Sequence, residues 1–145
     1  MFFGEYIHTL DSKGRLIIPS KFREELGNVF YVTQGLDECL YIFSAEKWAK
    51  LLEGLEELPM ASKEARNISR RLISKAAQLE PDKMGRVLLP ATLREMLGLE
   101  KDVAVVGAIN KIEIWEKNKW QKVNELDEEH IDMCAQELMK AGIKF

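Results

Sequence analysis

Apolar and polar positions follow one order of elements in the first third of the chain. EYIHTL (residues 5–10) and RLII (Arg15 to Ile18) are short β-prone runs on either side of Asp11–Gly14. PSKFREEL then predicts a one- to two-turn helix, followed by strands near 29–34 and 39–44. Pro19 suits the first helical position, Glu24 and Glu25 suit the positive end of the helix dipole, and Gly27 ends the helix. Trp48, Leu51, Leu52, Leu55 and Leu58 recur at helical spacing until Pro59 breaks the run. Ser62 is placed to cap a second helix reaching about Ala77. The order then repeats, with strands near 86–89, 102–107 and 111–116 and a helix near 91–97, where Thr92 and Glu95 can form a capping box. A last helix is predicted from Asn118, burying Trp120, Val123, Ile131, Cys134 and Leu138 along an imperfect stripe.

The recurrence is also one of residue identity. DSKGRLIIPSKFREELG (Asp11 to Gly27) aligns without gaps on DKMGRVLLPATLREMLG (Asp82 to Gly98), with Asp, Gly, Arg, Pro, a second Arg, Glu, Leu and Gly in register. After a one-residue slip Gly35 pairs with Gly107, Leu40 with Ile112, Ile42 with Ile114, Phe43 with Trp115 and Trp48 with Trp120. Each copy is too small to bury a good core alone, so the copies are expected to close on each other in one barrel-like body. The division expected is a first half over 5–47, a helical connector over 48–75, a second half over 76–119 and a C-terminal helix over 120–145.

Composition adds a folded protein to this picture. Of 145 residues, 46% are hydrophobic and 31% charged, the balance of a globular chain and not of a disordered one. MFFGEYIHTLD has no basic leader region and no apolar run approaches a bilayer span, so a cytoplasmic protein with no membrane contact is expected. Cys39 and Cys134 lack the paired spacing of a zinc or redox site, and burial is the role expected of both. No metal or other cofactor is expected.

The net charge of −3 argues against nucleic acid only until its distribution is considered. Residues 12–23 carry Lys13, Arg15, Lys21 and Arg23 with no acid, and residues 83–94 carry Lys83, Arg86 and Arg94 with none. Residues 61–79 carry Lys63, Arg66, Arg70, Arg71 and Lys75 against Glu64. The compensating acids crowd into 123–139, which holds no Lys or Arg.

The chemistry centres on the two turns. Asp at the first position and Gly at the fourth select a tight turn, because Asp accepts backbone N–H bonds and Gly tolerates positive φ. Arg15 and Arg86 follow immediately and are held by a stiff loop at the start of a strand. Such a guanidinium reaches phosphate or grips O6 and N7 of guanine, and Asp11 or Asp82 orients it through a charge-assisted bond. Lys13 and Lys83 add positive charge toward the phosphate backbone. A surface Asp–Arg pair with no further task is the plainer alternative, weakened by the second copy but not removed. Arg23 and Arg94, inside the short helices, are assigned to local packing or pairing. Arg66, Arg70 and Arg71 form a basic helix face that is either solvated or a secondary DNA contact. His8 and His130 stand apart with no Ser or Cys motif, and no phosphate-binding Gly loop or nucleophile elbow occurs, so neither an enzyme nor a small-molecule substrate is expected.

On Asp11-x-x-x-Arg15 and Asp82-x-x-x-Arg86, each followed by an apolar triplet, Pro and a short Arg–Glu helix, the chain resembles the MraZ family. FGEY at the start, the middle segment from Arg70 to Asp82 and VVGAINKIEIWEK in the second half extend the resemblance over nearly the whole chain. It implies an α+β, β-rich fold in which two SpoVT-AbrB-like swapped-hairpin halves form a double-psi β-barrel-like core with added helices. It further implies a ring-shaped homo-oligomer, associated with the nucleoid. Its double-stranded DNA targets are direct repeats upstream of its own division and cell-wall gene cluster, and its role is transcriptional regulation. Asp11, Arg15, Asp82 and Arg86 carry over as DNA-recognition residues. An AbrB-like antitoxin or other interaction module without specific DNA readout is the rival, disfavoured by the duplication.

Overall fold

The computed structural model describes residues 1–144 as an α+β fold. In chain order the elements of the first half are β1 (Glu5–Thr9), β2 (Arg15–Ile17), α1 (Ser20–Leu26), β3 (Phe30–Gln34) and β4 (Leu40–Ser44). Helices α2 (Ala45–Glu56) and α3 (Lys63–Ile73) connect them to β5 (Ala77–Leu79), β6 (Arg86–Leu88), α4 (Ala91–Leu97), β7 (Asp102–Gly107) and β8 (Ile112–Glu116). Helices α5 (Lys117–Val123) and α6 (Glu128–Lys140) follow.

The halves are joined by exchange and not set side by side. A six-stranded antiparallel sheet runs β1-β7-β8-β4-β3-β5, and a separate antiparallel ribbon pairs β2 with β6. The first strand of each half thus lies on the other half's hairpin: β1 on β7, with Tyr6 opposite Val105, and β5 on β3, with Tyr31 opposite Gln78. Two backbone bonds repeat the exchange, from Ile18 N to Gly85 O at 3.3 Å and from Leu89 N to Gly14 O at 3.2 Å.

Strand periodicity explains the near-continuous apolar runs. Leu40 and Ile42 of β4, Val103 and Val105 of β7, and Ile112 and Ile114 of β8 point into the main core with Phe22, Phe30, Leu16, Leu89 and Leu93. The alternate residues Tyr41, Phe43, Ala104, Val106 and Trp115 point to the opposite face, where α2 contributes Trp48. Both faces are covered, so LYIF needs no polar alternation. A one-residue slip would send each set to the wrong face, so the register is strongly fixed. Tyr31 stacks on Trp48 with centroids 5.3 Å apart, and Trp120 of α5 bonds Glu5 of β1 at 2.8 Å.

Several local expectations need correction. Helix α3 is capped by Ser62, whose Oγ accepts from Ala65 N, but it ends at Ile73, and Ala77 starts the exchanged strand β5. Pro19 is the N-cap of α1 and not its first helical residue. Glu24 and Glu25 fall outside the first turn, where the dipole gives them no advantage, and no capping box closes at Thr92 and Glu95. The predicted last helix is two helices. Helix α6 buries none of its residues, and Val123, Ile131, Cys134 and Leu138 are exposed, because its apolar stripe meets no packed layer. Cys39 is buried as expected, which pushes its thiol up to about 12. No helix among the described residues is long and apolar enough to cross a membrane.

Candidate nucleic-acid interface

Each turn forms as its residues dictate. Gly14 N donates to Asp11 O at 3.0 Å and Gly85 N to Asp82 O at 3.0 Å, with φ of 82° and 78° at the two glycines. The carboxylates do two jobs at once. Asp11 Oδ1 accepts from the backbone N–H of Lys13 at 3.0 Å and of Arg15 at 2.8 Å, while Oδ2 accepts from Arg15 Nε at 2.6 Å. Asp82 repeats this with Met84 N at 2.9 Å, Arg86 N at 2.9 Å and Arg86 Nε at 2.7 Å. Backbone bonds from Arg15 and Arg86, with the side-chain and Coulombic contributions of the same arginines, hold both carboxyls below the usual carboxylate range. Both stay ionised at neutral pH and keep their hold on Nε. The terminal guanidinium nitrogens of Arg15 and Arg86 have no protein acceptor among the described residues, so both terminal nitrogens of each arginine, with their four N–H groups, remain for a ligand.

The ribbon brings the two signature arginines together. Arg15 stands opposite Leu88, Leu16 opposite Val87 and Ile17 opposite Arg86. Leu16 and Val87 face the core, so Arg15, Ile17, Arg86 and Leu88 share the outward face. Diagonal neighbours on such a face lie about 7–8 Å apart. Lys13 and Lys83 are exposed in the turns, but the turns differ: Lys13 is the third residue of its turn, where the second copy has Met84, and Lys83 is the second, where the first copy has Ser12.

Arg23 and Arg94 do more than the sequence indicated. A methyl on Gly14 would stand 2.3 Å from Cζ of Arg94, and one on Gly85 would stand 2.1 Å from Nη1 of Arg23. Each helix arginine therefore lies against the turn of the opposite half, so the packing is reciprocal and not local. Arg94 Nε also donates to Leu89 O at 2.9 Å. The signal in the sequence was the second conserved-register arginine of the repeat, but which turn it reaches depends on the strand exchange. Gly14→Ala and Gly85→Ala are expected to destabilise the fold, because positive φ costs a non-glycine residue about 1–2 kcal/mol and the arginine must also leave its seat. Chemical denaturation of both variants checks this; unchanged midpoints would refute the close packing.

The connector arginines do not form one free face. Arg71 Nε donates to Gly35 O at 2.9 Å and fastens α3 beside β3, Arg66 Nη1 donates to Met60 O at 2.8 Å, and Arg70 is exposed. His8 is half-buried on β1 beside Tyr6, and His130 is exposed on α6. Among the described residues no three His, Cys, Asp or Glu side chains are grouped to hold a metal ion.

Two exchanged copies, each with an Asp-anchored arginine on a shared ribbon, define a duplicated β-ribbon protein. The family model described as "MraZ protein, putative antitoxin-like" matches residues 1–71 and again 72–140. The chain is 48% identical over 143 residues to a transcriptional regulator MraZ of Caldicellulosiruptor bescii, covering 99% of this chain and all of the relative. It is 46% identical over 145 residues to that of Lachnoclostridium phytofermentans, with both chains fully covered, and 45% identical over 143 residues to that of Acetivibrio thermocellus. The chain belongs to the MraZ family, a family of transcriptional regulators and not of enzymes.

Proposed function

We propose that this protein is a sequence-specific DNA-binding transcriptional regulator that reads DNA with the β2–β6 ribbon and its two turns. The observation that carries this is the pair of Asp-held arginines, Arg15 and Arg86, offering unpartnered terminal N–H groups on one exposed face. A major groove admits a two-stranded ribbon, and a guanidinium fixed at Nε presents its remaining donors to O6 and N7 of guanine. Lys13 and Lys83 meet phosphates on either side, and Arg70 is the connector arginine free to add a phosphate contact. The relatives' shared name supports regulation of transcription as the outcome.

One ribbon is too small to specify a genomic site, so several subunits act together. A ring-shaped homo-oligomer presenting equivalent ribbons suits direct repeats spaced by about one helical turn, roughly 10 base pairs, better than palindromes. The proposed targets lie upstream of the division and cell-wall gene cluster that holds its own gene, which places the protein in the cytoplasm on the nucleoid. The exchange of β1 and β5 supports an AbrB-like swapped-hairpin core of the double-psi barrel type.

Binding of the pure protein to its own upstream DNA at several salt concentrations tests the function. The expected result is preference over scrambled DNA, with log affinity falling linearly in log salt. Equal affinity for both DNAs, with a stoichiometric protein partner recovered instead, would favour the antitoxin-like reading that the family description names.

A further inference from the structure

We propose that Ile17 and Leu88 are base-reading residues that take the 5-methyl groups of thymines beside the bases held by Arg15 and Arg86. This rests on the DNA-reading role of the ribbon given above and names a second chemical class in the site it recognises.

The two residues occupy the same position of the repeat, 17 in one copy and 88 in the other, and both are large and aliphatic. Their neighbours along the strands, Leu16 and Val87, fill the core at 0% and 1% exposure, whereas Ile17 and Leu88 are 46% and 55% exposed on the opposite face. Core packing therefore does not account for their size. Their surroundings do supply an argument. Cross-strand pairing sets Leu88 opposite Arg15 and Ile17 opposite Arg86, so the four residues form one patch with the arginines on one diagonal and the apolar pair on the other. A ligand gripped by both arginines crosses this patch with Ile17 and Leu88 on either side of the line between them.

Those side chains have no donor or acceptor to offer such a ligand. On the floor of a major groove the feature that rewards an aliphatic contact is the C5-methyl of thymine, since the other edges present donors and acceptors that would be desolvated without return. The charge pattern selects DNA over a second copy of this chain as the occupant: Arg15, Arg86, Lys13 and Lys83 surround the apolar pair, and the turn acids Asp11 and Asp82 are already committed to their own arginines. A like-charged copy of the same face would bring those cations together. The ribbon thus combines guanidinium donors for acceptor-rich edges with two aliphatic contacts for methyl-bearing ones.

The test compares the protein's own upstream operator with the same duplex synthesised with deoxyuridine for thymine, which removes methyl groups and no hydrogen bond. Wild type is expected to lose about three- to fivefold in affinity for each methyl contacted, the factor for burying one such group. The double variant Ile17→Ala/Leu88→Ala is expected to keep the native oligomer by light scattering and to bind both duplexes with nearly equal, lowered affinity. Wild type that binds the deoxyuridine operator as tightly as the thymine one would overturn the proposal while leaving DNA reading intact. So would a double variant that keeps the wild-type preference for thymine. A changed oligomer size in that variant would assign the pair to contact between copies instead. Failure of wild type to prefer the thymine operator over scrambled DNA would remove the underlying reading as well.

Discussion

Residues 1–75, expressed without the second half, are expected to show no concentration-independent cooperative unfolding as a monomer. In the intact chain all five residues of β1 pair with β7, and β2 pairs with β6. Removing residues 76–145 strips both strands of every sheet partner and also takes β5 from the edge of β3. The core loses Val87, Leu89, Leu93, Leu97, Val103, Val105, Ile112 and Ile114 together, each contributing about 1.5–3 kcal/mol when fully buried. That loss matches or exceeds the whole net stability of an ordinary domain, about 5–15 kcal/mol. Because the second half is a copy of the first, two fragments can in principle exchange β1 strands with each other. The fragment should then gain structure only as a dimer, with a melting temperature that rises with protein concentration. Denaturation at several concentrations with light scattering distinguishes the cases, and a stable monomeric fragment would mean that the exchange is not what holds the halves.

The repeat made most of this architecture legible. The run of short strands around one short helix was readable twice over because the same apolar spacing recurs, and the Asp–Gly turns were readable because few other residues satisfy them. What the alternation could not reveal was which half each strand joins, since β1 and β5 look the same whether they pair at home or across. Strand β5 was hidden for a related reason: only Ala77, Gln78 and Leu79 form it, and their neighbours continue the polar helix of α3. The register of the repeat carried the missing signal, because residues 76–80 align with the strand Glu5–Thr9. Helix α6 failed in the other direction. Ile131, Cys134 and Leu138 have helical spacing, but periodicity reports a face and not what covers it. The turn residues were placed by their own chemistry, whereas the seats of Arg23 and Arg94 depend on the exchange and so were out of reach.

Arg15→Ala and Arg86→Ala are expected to abolish most operator preference while sparing the fold. Each turn keeps its backbone bonds in these variants, since Asp11 Oδ1 and Asp82 Oδ1 still accept the N–H groups of residues 13 and 15, or 84 and 86. The lost side chains are partly exposed and line no core cluster. If each arginine grips a guanine, its removal costs about 1–3 kcal/mol per engaged contact and relaxes preference at one base of the repeat. A phosphate contact would instead lower affinity evenly for all sequences and flatten the salt slope by about 0.9 per contact. Several subunits on one operator multiply either loss. Asp11→Asn and Asp82→Asn should be milder than loss of the arginine, because the amide oxygen still accepts the two backbone bonds and the guanidinium stays in place, although the amide NH2 now facing Nε cannot accept from it and so no longer fixes its direction. Operator and scrambled-DNA affinities of all four variants, measured after light scattering has confirmed native assembly, separate these outcomes. Assembled Arg15→Ala and Arg86→Ala proteins with wild-type operator affinity would leave the paired turns as structural elements whose exposed guanidinium groups face only water.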